Sequence, residues 1–180
     1  MLDHAIKTQR ALIRPVVAAD AEALHAVLTW DVVRQLSRVS WPLSLGEVED
    51  FARKAEEETH EGTGWHHTVV IDGTPAGVMS IRPHQGAMNL GYWLAQPHWG
   101  KGLATEVASA YVADFFAASS DVHLTSGAFS DNEASLRVQE KLGFVVVGEG
   151  LLESQALKRQ RPHWDTMLGR ARWNEGAIAA

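Results

Sequence analysis

The sequence contains no cysteine, which excludes disulfides, thiolate metal sites and a cysteine nucleophile. It has no excess of basic residues either. Sixteen lysines and arginines against 22 acids leave a formal net charge of −6. No overall field draws in a phosphate backbone, so nucleic acid is not an expected partner. Long apolar runs are missing as well: none approaches the roughly 20 residues that cross a bilayer. The opening MLDHAIKTQR is mixed polar and lacks the apolar segment of a signal peptide. No membrane partner is expected, and the reading is of a cytoplasmic protein. Internal repeats and low-complexity tracts are absent, and no metal-ligand spacing stands out.

What remains is an ordinary globular composition, 46% hydrophobic and 21% charged over 180 residues, enough for one domain with a real core. We draw that domain over residues 1–173 and a loose C-terminal tail, NEGAIAA, over 174–180. Leu12-Ile13-Arg14 reads as a strand stopped by Pro15. Asp20 is expected to cap a helix carrying Ala23, Leu24, Val27 and Leu28 at helical spacing. Residues 30–43 read as irregular. Ser44 with Glu47 makes a capping box before a second helix whose buried stripe is Val48, Phe51, Ala52 and Ala55. Glu56, Glu57 and Glu58 read as its solvated end. A hairpin follows, His66 to Ile71 and Ala76 to Ile81 around Asp72-Gly73-Thr74-Pro75, and then a strand from Met88 to Ala95. A third helix places Leu103, Val107, Ala110, Tyr111 and Phe115 on one face. Val122 to Ala128 is a strand. Ser130 and Glu133 suggest a capping box for a helix with Ala134, Val138 and Leu142, ended by Gly143. Strands near Phe144–Val147 and Trp164–Ala171 close the chain. The order β-α-α-β-β-β-α-β-α-β-β predicts a mixed, mostly antiparallel sheet of the α/β (α+β) kind. One parallel crossover lies near residues 88–128, with helices on both faces.

The stretch QPHWGKGLAT, residues 96–105, joins a strand to a helix with two glycines. A helix N-terminus presents amide N–H groups without intrahelical partners, at the positive end of the peptide dipoles. Gly100 and Gly102 let the backbone curl so that such groups converge on phosphate oxygens. Ala104 keeps the first turn open, Thr105 offers a hydroxyl and Lys101 a charge. The glycines alone are equally compatible with a plain tight turn. A dinucleotide loop is set aside, because Thr105 occupies its third glycine position and the only acid about 20 residues on, Asp121, precedes the next strand instead of following it.

WGKGLAT, after the strand NLGYWLA and before a helix, resembles the acyl-CoA-binding motif of the GNAT N-acetyltransferase superfamily. Trp99 stands where the motif has Arg or Gln. The later segment DNEASLRVQEKLGF, the opening ALIRPVVAADAEAL and the hairpin DGTPAGVMSI resemble the Rim-type branch, the ribosomal-protein N-acetyltransferases, over roughly residues 10–150. The resemblance implies a sheet whose parallel strands splay to admit the pantetheine arm of acetyl-CoA. The pyrophosphate would rest on the amides of residues 99–104, so the cofactor-binding set includes Trp99, Gly100, Lys101, Gly102, Leu103, Ala104 and Thr105. It also implies a backbone N–H around Leu94 or Ala95 for the thioester oxygen, Asn132 for a pantetheine amide, and Ser135 beside the leaving thiol. The tyrosine that many relatives carry in that helix is replaced by Gln139.

Acetyl transfer to an amine also requires that the amine lose a proton, since a terminal amino group has a pKa of about 8 and a lysine about 10.4. Relatives often carry a glutamate near Asn89, which itself cannot accept a proton. Tyr92 is a candidate to order a water, and His66, His67, His84 and His98 are the groups that titrate near neutrality. As neighbours on a strand, His66 and His67 must point to opposite faces. Trp30, Trp41 and Trp65 are candidates for an acceptor pocket. The expected activity is direct acetyl transfer from acetyl-CoA to a primary amine, on a protein N-terminus or a small molecule, with no metal. The alternative is a non-catalytic acyl-CoA sensor. The C-terminal strands, with RPHWDTMLGRARW, are the segment at which a homodimer partner would pair.

Overall fold

In the computed structural model, which describes residues 3–177, two short strands open the chain, β1 (Ile6–Lys7) and β2 (Leu12–Pro15). Helices α1 (Ala21–Val27), α2 (Trp30–Val33) and α3 (Leu45–Glu61) follow. Next come β3 (Trp65–Ile71), β4 (Thr74–His84) and β5 (Ala87–Leu94). The rest is α4 (Leu103–Ala118), β6 (His123–Phe129), α5 (Glu133–Lys141), β7 (Val145–Ser154), β8 (Arg159–Gly169) and α6 (Arg170–Ala177). Strand β1 and helices α2 and α6 add to the expected order. The tail drawn from residue 174 is helical as far as Ala177, and residues 178–180 lie outside the described ones.

The eight strands form one sheet in the order β1-β2-β3-β4-β5-β6-β8-β7. Every pairing is antiparallel except β5 with β6. Two hairpins build its middle. Asp72 and Gly73 take φ of 49° and 79°, the two positive values that a tight hairpin turn needs. Thr74 and Pro75 belong to β4, with a register shift at Val69/Val70 that accommodates the missing proline N–H. Gln85 and Gly86, with φ of 50° and 82°, repeat the device between β4 and β5. Strand β8 lies between β6 and β7, so the open sheet edge at the C-terminal side is β7.

Core packing divides by sheet face. Ile13, Val69, Met79, Leu90 and Leu124 meet Val107, Tyr111 and Phe115 of α4 on one face. Val16, Leu24, Val48, Ala52 and Val78 form a second cluster under α1 and α3. Ser44 caps α3 as expected, its Oγ accepting from the Glu47 N–H at 3.3 Å while Glu47 accepts from the Ser44 N–H at 2.8 Å. Those hydrogen bonds from Ser44 and Ser40 hold the Glu47 carboxyl down at about 2.

Three local expectations fail. Asp20 does not cap α1; it is buried, and its carboxylate takes Arg14 at 2.6 and 2.8 Å and Thr68 Oγ1 at 2.6 Å. Ser130 does not cap α5, because its N–H donates to the Pro162 carbonyl and the cap is Asn132. Ala134 of the expected stripe is exposed, and Gln139 is the buried residue of α5. In each case a strand distant in sequence supplies the competing partner. Gly143, with φ 92°, does end α5: Phe144 N–H reaches the Gln139 carbonyl and Gly143 N–H the Glu140 carbonyl, the paired bonds of a left-handed helix stop.

Candidate active site

Strands β5 and β6 pair only at Met88↔Leu124 and Asn89↔Thr125. Just beyond, Ser126 Oγ donates to the Leu90 carbonyl at 2.9 Å, and the strands then diverge. This gap opens into a cleft of about 1700 Å³ that runs between the α4 N-terminus and the wall formed by α3, β4 and residues 35–40.

Alternation along β5 decides which amides face the gap. Ala95 N–H donates to the Ala76 carbonyl at 2.8 Å, so Ala95 is spent on β4 and does not serve the role expected of it. In an antiparallel ladder the intervening residues point the other way. The N–H groups of Leu94 and Tyr92 therefore turn toward the gap. Asn89, at its closed end, donates from Nδ2 to Thr125 Oγ1 at 3.1 Å and presents no proton acceptor of carboxylate strength.

At the open end the chain makes a short 3₁₀ turn, Gln96–His98. Gly100 and Gly102 both lie in the left-handed region, with φ of 71° and 74°. A Cβ on Gly100 would meet nothing within 4 Å, so the side chain it lacks leaves room on the cleft side. Trp99 N–H is spent on the Gln96 carbonyl, which moves the start of the amide cradle from residue 99 to residue 100. The first α4 bond runs from Glu106 N–H to the Gly102 carbonyl, leaving the N–H groups of Leu103, Ala104 and Thr105 without intrahelical partners. Leu103 has its side chain in the core and offers only backbone. Trp99 Nε1 donates to the Leu94 carbonyl at 2.7 Å, and Lys101 Nζ folds onto the Pro97 carbonyl at 2.7 Å. From behind, Arg10 Nη1 donates to the Lys101 carbonyl at 2.8 Å while its Nε holds Glu106 at 2.6 Å. This brace was not foreseen, since nothing near residue 10 marks it.

Between these ends stand Tyr92 and Ser135. Tyr92 Oη lies 2.9 Å from Ser135 Oγ and donates to the Ser135 carbonyl at 3.1 Å. Gln139 completes the group. Its Oε1 accepts from Thr166 Oγ1 at 2.6 Å, which directs Nε2 to Ser135 Oγ at 3.2 Å and to the Gly127 carbonyl at 3.3 Å. Ser135 Oγ thus accepts from Gln139 and keeps its own proton to give. Burial raises the Tyr92 hydroxyl pKa above its ordinary value, so this phenol is a donor throughout the neutral range. Asn132 Oδ1 caps α5 by accepting from Ser135 N–H at 3.2 Å. Its Nδ2 has no hydrogen-bond partner among the described residues and faces the same cleft.

The histidines separate. His67 is buried against Tyr111, Oη to Nδ1 at 3.0 Å, on the face away from the cleft, and burial holds its pKa down at about 4. His66 faces α3, with Nε2 2.7 Å from Glu58 Oε2. Burial lowers its pKa, opposed by Glu58, and Nδ1 is sealed from solvent. Glu58 is therefore not a solvated end. Of the four candidates, His84 and His98 stand open on the cleft wall, which His163 also lines; burial, then Arg38 and Arg82, keep His84 below its ordinary pKa. Trp65 packs on Phe115 on the α4 face, 6.5 Å between ring centroids, and is core. Trp30 and Trp41 pack on each other with centroids 5.7 Å apart and rings tilted by 57°; the cleft wall is made instead by residues 35–40, Leu43 and Phe51. Phe51, expected in the core stripe, is 38% exposed and turns its ring toward His66.

Comparison with known proteins accords with this geometry. Residues 10–145 match the family model described as an acetyltransferase (GNAT) domain. A relative from Bacillus subtilis (strain 168), "Uncharacterized N-acetyltransferase YoaA", is 28% identical over 166 residues, 88% of this chain and 91% of that protein. Among solved structures, Mycobacterium smegmatis RimJ in complex with CoA-disulfide superposes with a TM-score of 0.82 at 18% identity, over 98% of this chain and 94% of that one. The ribosomal-protein-S5-alanine acetyltransferase from Vibrio fischeri gives 0.81 at 18% identity, over 95% and 99%.

Proposed function

Because the chain belongs to the GNAT acetyltransferase family, whose members take their acetyl group from acetyl-CoA, we propose that it transfers that group directly to a primary amine. The observation that carries this reading is the splayed β5–β6 gap. Unpartnered amides of residues 100–105 stand at its mouth, and the Ser135–Tyr92 pair on its wall. The diphosphate of acetyl-CoA rests on those amides, with Thr105 beside them, and the pantetheine arm enters the gap between Leu94 and Asn132. As the amine nitrogen bonds to the acetyl carbon, negative charge grows on the thioester oxygen. The gap-facing N–H groups of Leu94 and Tyr92 are placed to receive it. The C–S bond then breaks, and the departing thiolate takes the Ser135 proton, which Tyr92 helps replace. The amine proton leaves through water in the open cleft: His84, neutral near pH 7, stands five residues of β4, roughly 17 Å, beyond Met79, the register partner of Tyr92, and does not take it directly.

Asn89 is the feature that favours a non-catalytic sensor, since it supplies no base. A protonated donor pair beside the gap favours turnover. The acceptor is read as a small amine or a protein N-terminus, and a homodimer, if formed by sheet pairing, uses the free edge of β7. The test is calorimetry with acetyl-CoA, followed by continuous thiol release with a panel of amines. Binding with amine-dependent thiol release supports the transferase. Stoichiometric binding without release from any amine supports the sensor, and absence of binding refutes both.

A further inference from the structure

Arg10, Arg14, Arg34, Arg53, Arg137 and Arg161 each hold a carboxylate. Arg82 and Arg38, both on the cleft wall, have no carboxylate within 4.0 Å among the described residues. Arg82 is partly buried on β4. Arg38 reaches toward the same strand, Nη2 3.4 Å from His84 Nδ1. The acids that act on this group are engaged elsewhere. Glu58 is held by His66 at 2.7 Å and by Lys54 at 3.6 Å, and Asp165 by His163 at 3.3 Å. In a chain with a net charge of −6, two guanidinium groups thus share a cleft wall with no carboxylate in contact, Glu58 acting on Arg82 only from a longer range. Arg38 is exposed, but Arg82 is partly buried; desolvating a cation with no contacting partner is costly, and the cost is recovered when an anion arrives to be bound.

Position tells which anion. Arg82 pairs in register with Asn89, so the two side chains are neighbours on one sheet face at the closed end of the β5–β6 gap. Five residues of β5, roughly 17 Å at the usual strand rise, separate Asn89 from Leu94, and the amide cradle at Gly100 lies further still in that direction. The diphosphate of acetyl-CoA is read at that far end. Whatever meets Arg82 enters with the acceptor.

We propose that Arg82 and Arg38 form an anion subsite for the acceptor, so that the preferred substrate is an amine carrying an anionic oxygen group a few bonds from its nitrogen. This inference rests on the transferase reading and narrows it. Guanidinium groups suit the role because they stay charged and offer forked donors to carboxylate or phosphate.

The test is acetyl transfer by the full-length protein at saturating acetyl-CoA, with acceptors matched in pairs. Free amino acids are compared with their carboxamides, phosphoethanolamine with ethanolamine, and peptides with an acidic second residue with their amide counterparts. The arm with the largest preference identifies the source of the anion. In at least one pair the anionic member should be favoured by about 10–100-fold in kcat/KM, the range for hydrogen bonds to a charged group. Arg82→Gln should erase most of that preference through KM, Arg82→Lys should restore part of it, and Arg53→Gln on the outer surface of α3 should leave it alone. Acetylation of every amine without regard to charge overturns the subsite and spares the transferase. Equal loss for both members of each pair in Arg82→Gln also overturns it. Where acetyl-CoA binds but no amine is consumed, inorganic phosphate is titrated into the CoA-bound protein while the arginine Nε–H resonances are followed by NMR. A shift lost in Arg82→Gln supports the subsite, and its absence overturns it.

Discussion

Ser135 combines three contacts that fix where its proton can go. Its N–H is taken by Asn132 and its Oγ accepts from Gln139, so the hydroxyl hydrogen is directed to Tyr92 or to a thiolate in the gap. Ser135→Ala should therefore lower kcat by about 10–100-fold, the usual span for proton transfer by a positioned group. Its acetyl-CoA dissociation constant should stay within about twofold of the parent, because the proposed diphosphate site lies elsewhere, at the start of α4; steady-state kinetics beside calorimetry reads both. Ser135 was legible from its motif. Gln139, which orders it, was seen only as a missing tyrosine, since its role depends on Thr166 from a different strand. His67 gives a second prediction at this scale. Its folded-state pKa of about 4 lies below the unfolded value of about 6.5, so the unfolded chain binds the extra proton. His67 therefore contributes full stability above pH about 6.5, and about 3 kcal/mol of it is lost as pH falls toward 4. Denaturant melts at pH 7 and 4.5 should show this drop, and His67→Phe should flatten that part of it. Tyr111 Oη keeps the Trp65 carbonyl as a partner in that variant.

At the scale of the element, the proposed diphosphate site rests on the start of α4. Two left-handed glycines turn the chain, the first helical amides stay unpaired, and Arg10 fixes the loop from the side away from the cleft. Gly102→Ala adds only the strain of a side chain at φ 74°, about 1–2 kcal/mol, because its Cβ would find no atom nearer than Arg10 Nη2 at 3.9 Å. Gly102→Asp adds a negative charge where the diphosphate is read to sit. Calorimetry should show at most a tenfold weakening for alanine and no measurable binding for aspartate. Equal affinities for the two variants would sink the amide cradle. The glycines, the capping box of α3 and the stop at Gly143 were readable because their partners lie within a few residues. Ser130 and Asp20 misled for the opposite reason: a local cap was available, but Pro162, Thr68 and Arg14 offered better partners from other strands.

Across the whole molecule, the sheet is two parts joined by a short parallel seam. Strands β1 to β5 form one part and β6, β8 and β7 the other, with two register pairs between them. Contacts from α5 reinforce the seam, through Tyr92 on one side and Thr166 on the other. A ligand filling the gap must stiffen this junction. Acetyl-CoA at about 100 times its dissociation constant should stabilise the fold by about 2.7 kcal/mol, seen as a raised melting temperature. Amide exchange should slow most at residues 90–94 and 126–129, and least in β1 and β2. A uniform slowing, or none at the seam, would place the ligand elsewhere. Among the described residues no helix is long and apolar enough to cross a membrane.

The amino-acid order by itself determined the order of the strands and helices other than β1, α2 and α6, the hairpin turn at Asp72-Gly73, the helix start at Ser44 and the glycine loop before α4. Each of these is set by backbone freedom, periodicity or hydrogen bonds that close within one or two turns of chain. Only the tertiary structure decided that Leu94 and not Ala95 faces the gap, that His67 is sealed in the core, that Arg10 braces the loop before α4, and that Arg38 and Arg82 share a cleft wall with no carboxylate within 4.0 Å among the described residues. Those outcomes depend on sheet register and on partners up to 96 residues away, such as Arg10 with Glu106. Periodicity can assign a residue to a face, but it cannot say which group from the rest of the chain will occupy that face.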